Sequence, residues 1–141
     1  SRTLAALYEQ SLINDEKWGP CGFVLPESVA PFKIHIVPKM ENPEKVELAN
    51  KLDNSLKEKG IEAILDDREN ITMGAKIKDC KILGTPYLAV IGDKVEGENI
   101  QIENMKTGEM RQLGQVYTVS FFCRFIKIAR ILKVLAIFNT L

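Results

Sequence analysis

The sequence predicts an α/β domain with a central mixed five-stranded sheet flanked by helices on both faces. Three observations predict it. Two short apolar runs, Phe32–Val37 and Ile61–Leu65, bracket an amphipathic helical stretch, which is strand–helix–strand spacing. A third run, Tyr87–Ile91, follows a second helical stretch that stops at Gly84-Thr85-Pro86. Two further segments, Asn99–Asn104 and Glu109–Leu113, flank Lys106-Thr107-Gly108 as the arms of a hairpin. Crossover helices join parallel strands and tight turns join antiparallel ones, so the sheet is mixed.

Each element has a local cause. Thr3 to Leu12 places Leu4, Leu7, Tyr8 and Leu12 at helical spacing, with no capping residue ahead of it. That opening reads as a helix already under way, as in a piece of a longer chain. Asn14 to Glu27 reads as a connector containing Trp18-Gly19-Pro20 and Pro26. Pro31 introduces the first strand and Pro38 closes it, positions a strand tolerates. Within it His35 alternates against Ile34 and Ile36 and so faces the other side of the sheet. Asn42-Pro43-Glu44 is a helix start: cap, first-turn proline, first-turn acid. Val46, Leu48, Ala49, Leu52 and Leu56 form its apolar face, and Gly60 suits the cap at its end. The second helix runs from about Met73 to Leu83 and ends at Gly84, with Cys80 packed inside it.

The length of 141 residues allows one domain, and 45% apolar with 27% charged residues is ordinary for a soluble globular chain. Charge is uneven. Residues 1–115 hold 15 Lys and Arg against 19 Asp and Glu, a balance of −4, while residues 116–141 hold Arg124, Lys127, Arg130 and Lys133 and no acid, +4. A body with no overall basic field makes any nucleic-acid contact local. Cys21, Cys80 and Cys123 are odd in number and widely spaced, which points to free thiols and not to a metal site. No signal peptide is read at the start. The expected organisation is 1–29 as a lead-in and connector, 30–115 as the domain, and 116–141 as an atypical basic-apolar tail. The tail cations step by three residues and so spread around a helix, and they interrupt the apolar run too often for a membrane span. A docked terminal helix is the plain reading; a membrane or partner helix is the alternative.

The segment Ile61–Pro86 carries the chemistry. An apolar strand breaks into Asp66-Asp67-Arg68, and a polar turn leads to Gly74 and Lys76 at the start of a helix. In open α/β sheets ligands sit beyond the carboxyl ends of strands. Carboxylates beside a guanidinium fork at such an end make a binding edge, or else a solvated turn with a local ion pair. Asp66 is also placed to cap the turn. Gly74 at the helix start allows close approach of a phosphate to backbone amides, or serves turn geometry alone. A catalytic role for the lone His35, with no nucleophile pattern near it, is not expected.

Several motifs in order resemble a known family: LDDR at Leu65–Arg68, GAKIKD at Gly74–Asp79, LGTP at Leu83–Pro86, VIGDK at Val90–Lys94 and TGE at Thr107–Glu109. Together they resemble the C-terminal anticodon-binding domain of class II aminoacyl-tRNA synthetases, most like the prolyl members. SRTLAALYEQ and LPESVAPFKIHIVP resemble the end of that family's catalytic core and its junction to the domain. The resemblance covers about residues 1–113 and implies the class II anticodon-binding-domain fold. It implies a role in reading the anticodon loop of tRNA(Pro) in support of aminoacylation, in the cytoplasm or, for a eukaryotic source, the mitochondrial matrix. By resemblance Asp66, Asp67, Arg68, Gly74 and Lys76 form the tRNA site, Lys78 and Lys81 contact phosphates, and Arg2 belongs to the ATP-binding motif of the parent core. No catalytic residue and no metal ligand is assigned. ATP and magnesium belong to the parent enzyme, which is expected to dimerise through its core; no cofactor, DNA or membrane partner is expected for this chain. Where the family often has Glu-x-Lys-x-Arg before the hairpin turn, this chain has Gln101, Glu103 and Met105, which counts against a tRNA contact there. The tail does not match the family's acid-rich closing helix. Three alternatives stay open: a threonyl-like member, a free-standing tRNA- or protein-binding module, and a small α/β enzyme using the same cleft.

Overall fold

The computed structural model describes residues 2–15, 19–94, 97, 99–114, 117–124 and 135. It opens with α1 (Arg2–Gln10), followed by an antiparallel pair, β1 (Leu12–Asp15) and β2 (Gly19–Phe23). This small hairpin occupies the stretch read from sequence as a connector. Pro20 and Gly22 inside β2 hid it, because both residue types are depleted in strands.

The main sheet has five strands: β3 (Ile34–Pro38), β4 (Ala63–Leu65), β5 (Tyr87–Ile91), β6 (Asn99–Asn104) and β7 (Met110–Gly114). Their spatial order is β4-β3-β5-β6-β7. β4 and β5 both run parallel to β3, and β6 and β7 are antiparallel additions. The mixed five-stranded sheet expected from sequence is the one observed.

Two helices cross between the parallel strands. α2 (Pro43–Glu58) starts as its sequence dictates: Asn42 is the cap, its side-chain oxygen accepting the Glu44 N–H at 3.1 Å, with Pro43 in the first turn. α3 (Met73–Leu83) is capped by Thr72, whose hydroxyl accepts the Ala75 N–H at 3.3 Å. It ends at Gly84, where φ is 74° and a Cβ would lie 3.0 Å from Leu25 Cγ. Backbone hand and packing both demand glycine there. Gly22 of β2 is the second close approach: a Cβ would come within 2.7 Å of the Lys81 carbonyl oxygen. The small hairpin therefore lies against the C-terminal end of α3, and the Leu25 N–H donates to the Gly84 carbonyl at 3.0 Å.

The strand alternation sorts the core into two layers. Ile34, Ile36, Ala89, Ile91, Ile100 and Ile102 pack against Leu48, Leu52 and Leu56 of α2. On the opposite face Val37 and Leu88 meet Cys80, with Met73 and Ile77 of α3 beside them. Residues 117–124 are helical and join the α2 layer. Phe122 is buried there, its ring 5.1 Å edge-on from Tyr87, and Thr118 donates to the Gly114 carbonyl at 3.0 Å. The described start of the tail thus packs as a docked helix. Lys127, Arg130 and Lys133, like Trp18, lie outside the described residues.

Candidate nucleic-acid interface

β4 is an edge strand of three residues, and the chain leaves it through Asp66-Asp67-Arg68. One last ladder bond, from the Asp66 N–H to the Ile36 carbonyl at 2.9 Å, fixes Asp66 just beyond the strand. Its carboxylate is almost wholly buried and works as a hub. Oδ1 accepts the Arg68 backbone N–H at 3.3 Å and Nε at 2.8 Å, while Oδ2 accepts Nη2 at 2.6 Å. This is the turn-capping geometry expected of an aspartate here, reinforced by a two-point guanidinium clasp. The hydrogen bonds from Arg68 outweigh burial and hold the Asp66 carboxyl at about 2, below the ordinary 3.8.

Arg68 reaches further. Nη2 also donates to Asp79 Oδ2 of α3 at 2.7 Å, so one guanidinium ties the strand end to the helix. Bonds to both carboxylates push its pKa up. Nη1 is the one guanidinium nitrogen left without a hydrogen bond among the described residues. Asp67, between the two anchored residues, is exposed.

Lys76 does not reach outward. It is 1% exposed, and Nζ donates to the Asp66 carbonyl at 3.0 Å, with Asp66 Oδ1 at 3.7 Å. The expectation of an RNA contact from Lys76 is corrected: the ammonium is enclosed. The reason lies in the helix period. Lys76 shares a row with Cys80 on the face that α3 turns to the sheet, and a lysine there needs a buried acceptor. Asp66 is buried as well, so it serves the loop and offers no open edge.

His35 completes the hub from below. It is 2% exposed, flanked in register by Ile64 and Leu88. Nε2 lies 3.6 Å from Asp66 Oδ2, beyond hydrogen-bond reach, and neither ring nitrogen has a hydrogen-bond partner among the described residues. Burial lowers its pKa and Asp66 opposes that, leaving a neutral imidazole.

These groups border a groove of about 420 Å³ between β4 and α3. Its strand side is His35, Ile64, Leu65 and the Asp66–Arg68 loop; its helix side is Asp79, Ile82 and Leu83. Ile82 and Leu83 are 63% and 49% exposed, an apolar wall open to solvent. Gly74 sits in the exposed first turn of α3, where a Cβ would meet nothing within 4 Å. Neither packing nor a left-handed backbone requires glycine at 74. Lys78 is exposed and Lys81 half-buried on α3, and Arg2 is exposed on α1, outside the groove. On the β6–β7 hairpin, Met105 packs against the α3-side core and Gln101 donates to Met110 Sδ at 3.1 Å. The sequence reading missed Asp79, Ile82 and Leu83. Their i, i+3 and i+4 spacing, which puts all three on one flank of α3, was the available signal.

An anchored guanidinium and an exposed carboxylate at the end of the edge strand thus face an apolar wall on α3, in the position where open α/β sheets place ligands. The Anticodon binding domain family matches residues 29–122, and the chain belongs to that family. Among curated proteins it is similar to the proline–tRNA ligase of Persephonella marina, 38% identical over 80% of this chain, and to that of Bacillus cereus strain B4264, 33% identical over 90%. It spans about a fifth of the length of these relatives, 19% and 21%. Among solved structures it is similar to the prolyl-tRNA synthetase of Cryptosporidium parvum complexed with L-proline and AMP, with a TM-score of 0.67 at 23% identity over 75% of this chain and 23% of the other. The complex of that enzyme with halofuginone and AMPPNP gives a TM-score of 0.69 at the same identity and coverage. These two likenesses concern the fold.

Proposed function

We propose that this chain is the anticodon-reading module of a proline–tRNA ligase, and that the β4–α3 groove faces the anticodon loop of proline tRNA. The observation that carries the reading is the mouth of the groove, where exposed Asp67 stands beside an Arg68 held on two carboxylates. Proline anticodons carry guanine at the second and third positions. A guanine edge offers N1 and N2 donors to a carboxylate and an O6 acceptor to a guanidinium N–H. Unstacked loop bases are read in this edge-by-edge manner. Ile82 and Leu83 offer apolar surface to base faces, and Lys78 and Lys81 supply phosphate contacts without sequence information. Gly74 leaves room for a phosphate at the start of α3. In this reading Asp66 and Lys76 hold the loop and do not touch RNA. The prolyl relatives favour proline tRNA over the threonyl-like alternative.

ATP and magnesium belong to the aminoacylation chemistry of the proposed parent. Of that machinery the resemblance assigns Arg2 alone to this chain, and no group of three or more His, Cys, Asp or Glu able to hold a metal lies among the described residues. No step through ATP or magnesium is assigned to this chain. Nor is any helix among the described residues long and apolar enough to cross a membrane.

The test is a titration of the chain against a proline tRNA transcript and one with its anticodon guanines replaced. The first should bind more tightly. Asp67→Asn, which leaves the buried hub alone, should relax discrimination at one base by about 1–3 kcal/mol. Lys78→Ala should weaken both transcripts alike. Equal binding of both transcripts by the unmodified chain contradicts the proposal.

A further inference from the structure

Asp79 is not among the site residues read from the sequence, yet it holds one end of Arg68. Its carboxylate accepts Nη2 at 2.7 Å, while the Asp66 carboxylate accepts Nε and Nη2 at 2.8 and 2.6 Å. The two acceptors come from different elements, a strand end and a helix, so the guanidinium plane is fixed from two sides. The bonds consume Nε and Nη2 and leave Nη1, among the described residues, as the free end of the fork. Asp79 and Arg68 are about equally exposed, 41% and 43% at the side chain, so this second bond is in reach of solvent while the Asp66 bond is not. We propose that Asp79 is a positioning residue that sets the direction in which Arg68 presents Nη1 at the groove mouth, and thereby sets base discrimination. The inference rests on the groove being the anticodon contact.

Electrostatics alone gives the opposite expectation, which makes the inference testable. Asp79 adds negative charge beside a surface that would meet RNA phosphates. If it were only an exposed acid, neutralising it would tighten binding to every RNA. As a positioning residue its loss costs selectivity, because the fork is then held on the Asp66 side only.

The experiment has two arms on the full chain. In the first, unmodified chain, Asp79→Ala and Asp79→Glu are titrated with the proline transcript and its guanine-replaced counterpart at two salt concentrations. Asp79→Ala should lose about tenfold in the ratio of the two affinities at both salts, without loss of affinity for the replaced transcript, and Asp79→Glu should restore much of the ratio. In the second arm, ¹⁵N–¹H spectra of the Arg68 guanidinium are recorded without RNA. The Asp66 clasp should keep the two Nη groups distinct in both proteins, while the Nη2 protons, one of which is bonded to Asp79 in the unmodified chain, should exchange with water faster in Asp79→Ala. Uniformly tighter binding by Asp79→Ala with the ratio kept overturns the inference, as does an Nη2 exchange rate unchanged in that variant. Should the unmodified chain itself fail to discriminate, the anticodon reading falls, and the spectra still decide whether Asp79 orients Arg68.

Discussion

Asp66 organises the strand end because three basic side chains converge on it: Arg68 by direct bonds, Lys76 chiefly through the Asp66 carbonyl, and His35 by proximity. Its depressed pKa makes it a stabilising group at neutral pH. That contribution, on the order of 2 kcal/mol, is complete above the unfolded value near 4 and is lost as pH falls toward about 2. His35 acts in a different window. Its folded pKa lies below 6.5, so the unfolded chain takes up the proton first and stability declines as pH drops below 6.5. This is the chain's single histidine, which makes the effect separable. Denaturant unfolding should show lower stability at pH 5.5 than at pH 7.5, and His35→Leu should remove most of the difference. An unchanged pH dependence in that variant would show that His35 is not held neutral. The sequence revealed Asp67 and Arg68 as neighbours at a strand end, and the side of the sheet His35 faces. It could not reveal that the lysine of the Gly-x-Lys pair turns inward, because that depends on which face of α3 meets the sheet.

At the scale of elements, the strongest local signals were also the most legible. Asn42-Pro43 at the start of α2 and Gly84 at the end of α3 stand where sequence placed them, because caps and left-handed glycines are decided within a few residues. The β1–β2 hairpin was not legible. Its place is set by contact with α3, where Gly22 meets the Lys81 carbonyl, and that is a tertiary cause. The same holds for residues 117–124, whose sequence reads as a basic-apolar tail but whose Phe122 is 3% exposed in the α2 layer. Phe122→Ala should therefore cost about 3–5 kcal/mol in the unfolding free energy. A loss below 1 kcal/mol, by denaturant titration, would show that this helix rests on the domain without completing its core.

For the molecule as a whole, the acidic balance of residues 1–115 sets what kind of RNA contact is possible. Such a body gathers phosphates only through a few local cations, so the proposed recognition rests on base edges at one groove more than on a field. With Gln101, Glu103 and Met105 where cations would stand on the β6–β7 hairpin, the proposed reading edge is the β4–α3 side. The most direct measurement is a map of backbone amide and methyl shifts on titrating the chain with a proline anticodon stem-loop. The account predicts changes at Asp67, Arg68, Gly74, Ile82 and Leu83, with the hairpin largely silent. Changes confined to residues 99–114, with the loop after β4 unmoved, would contradict it.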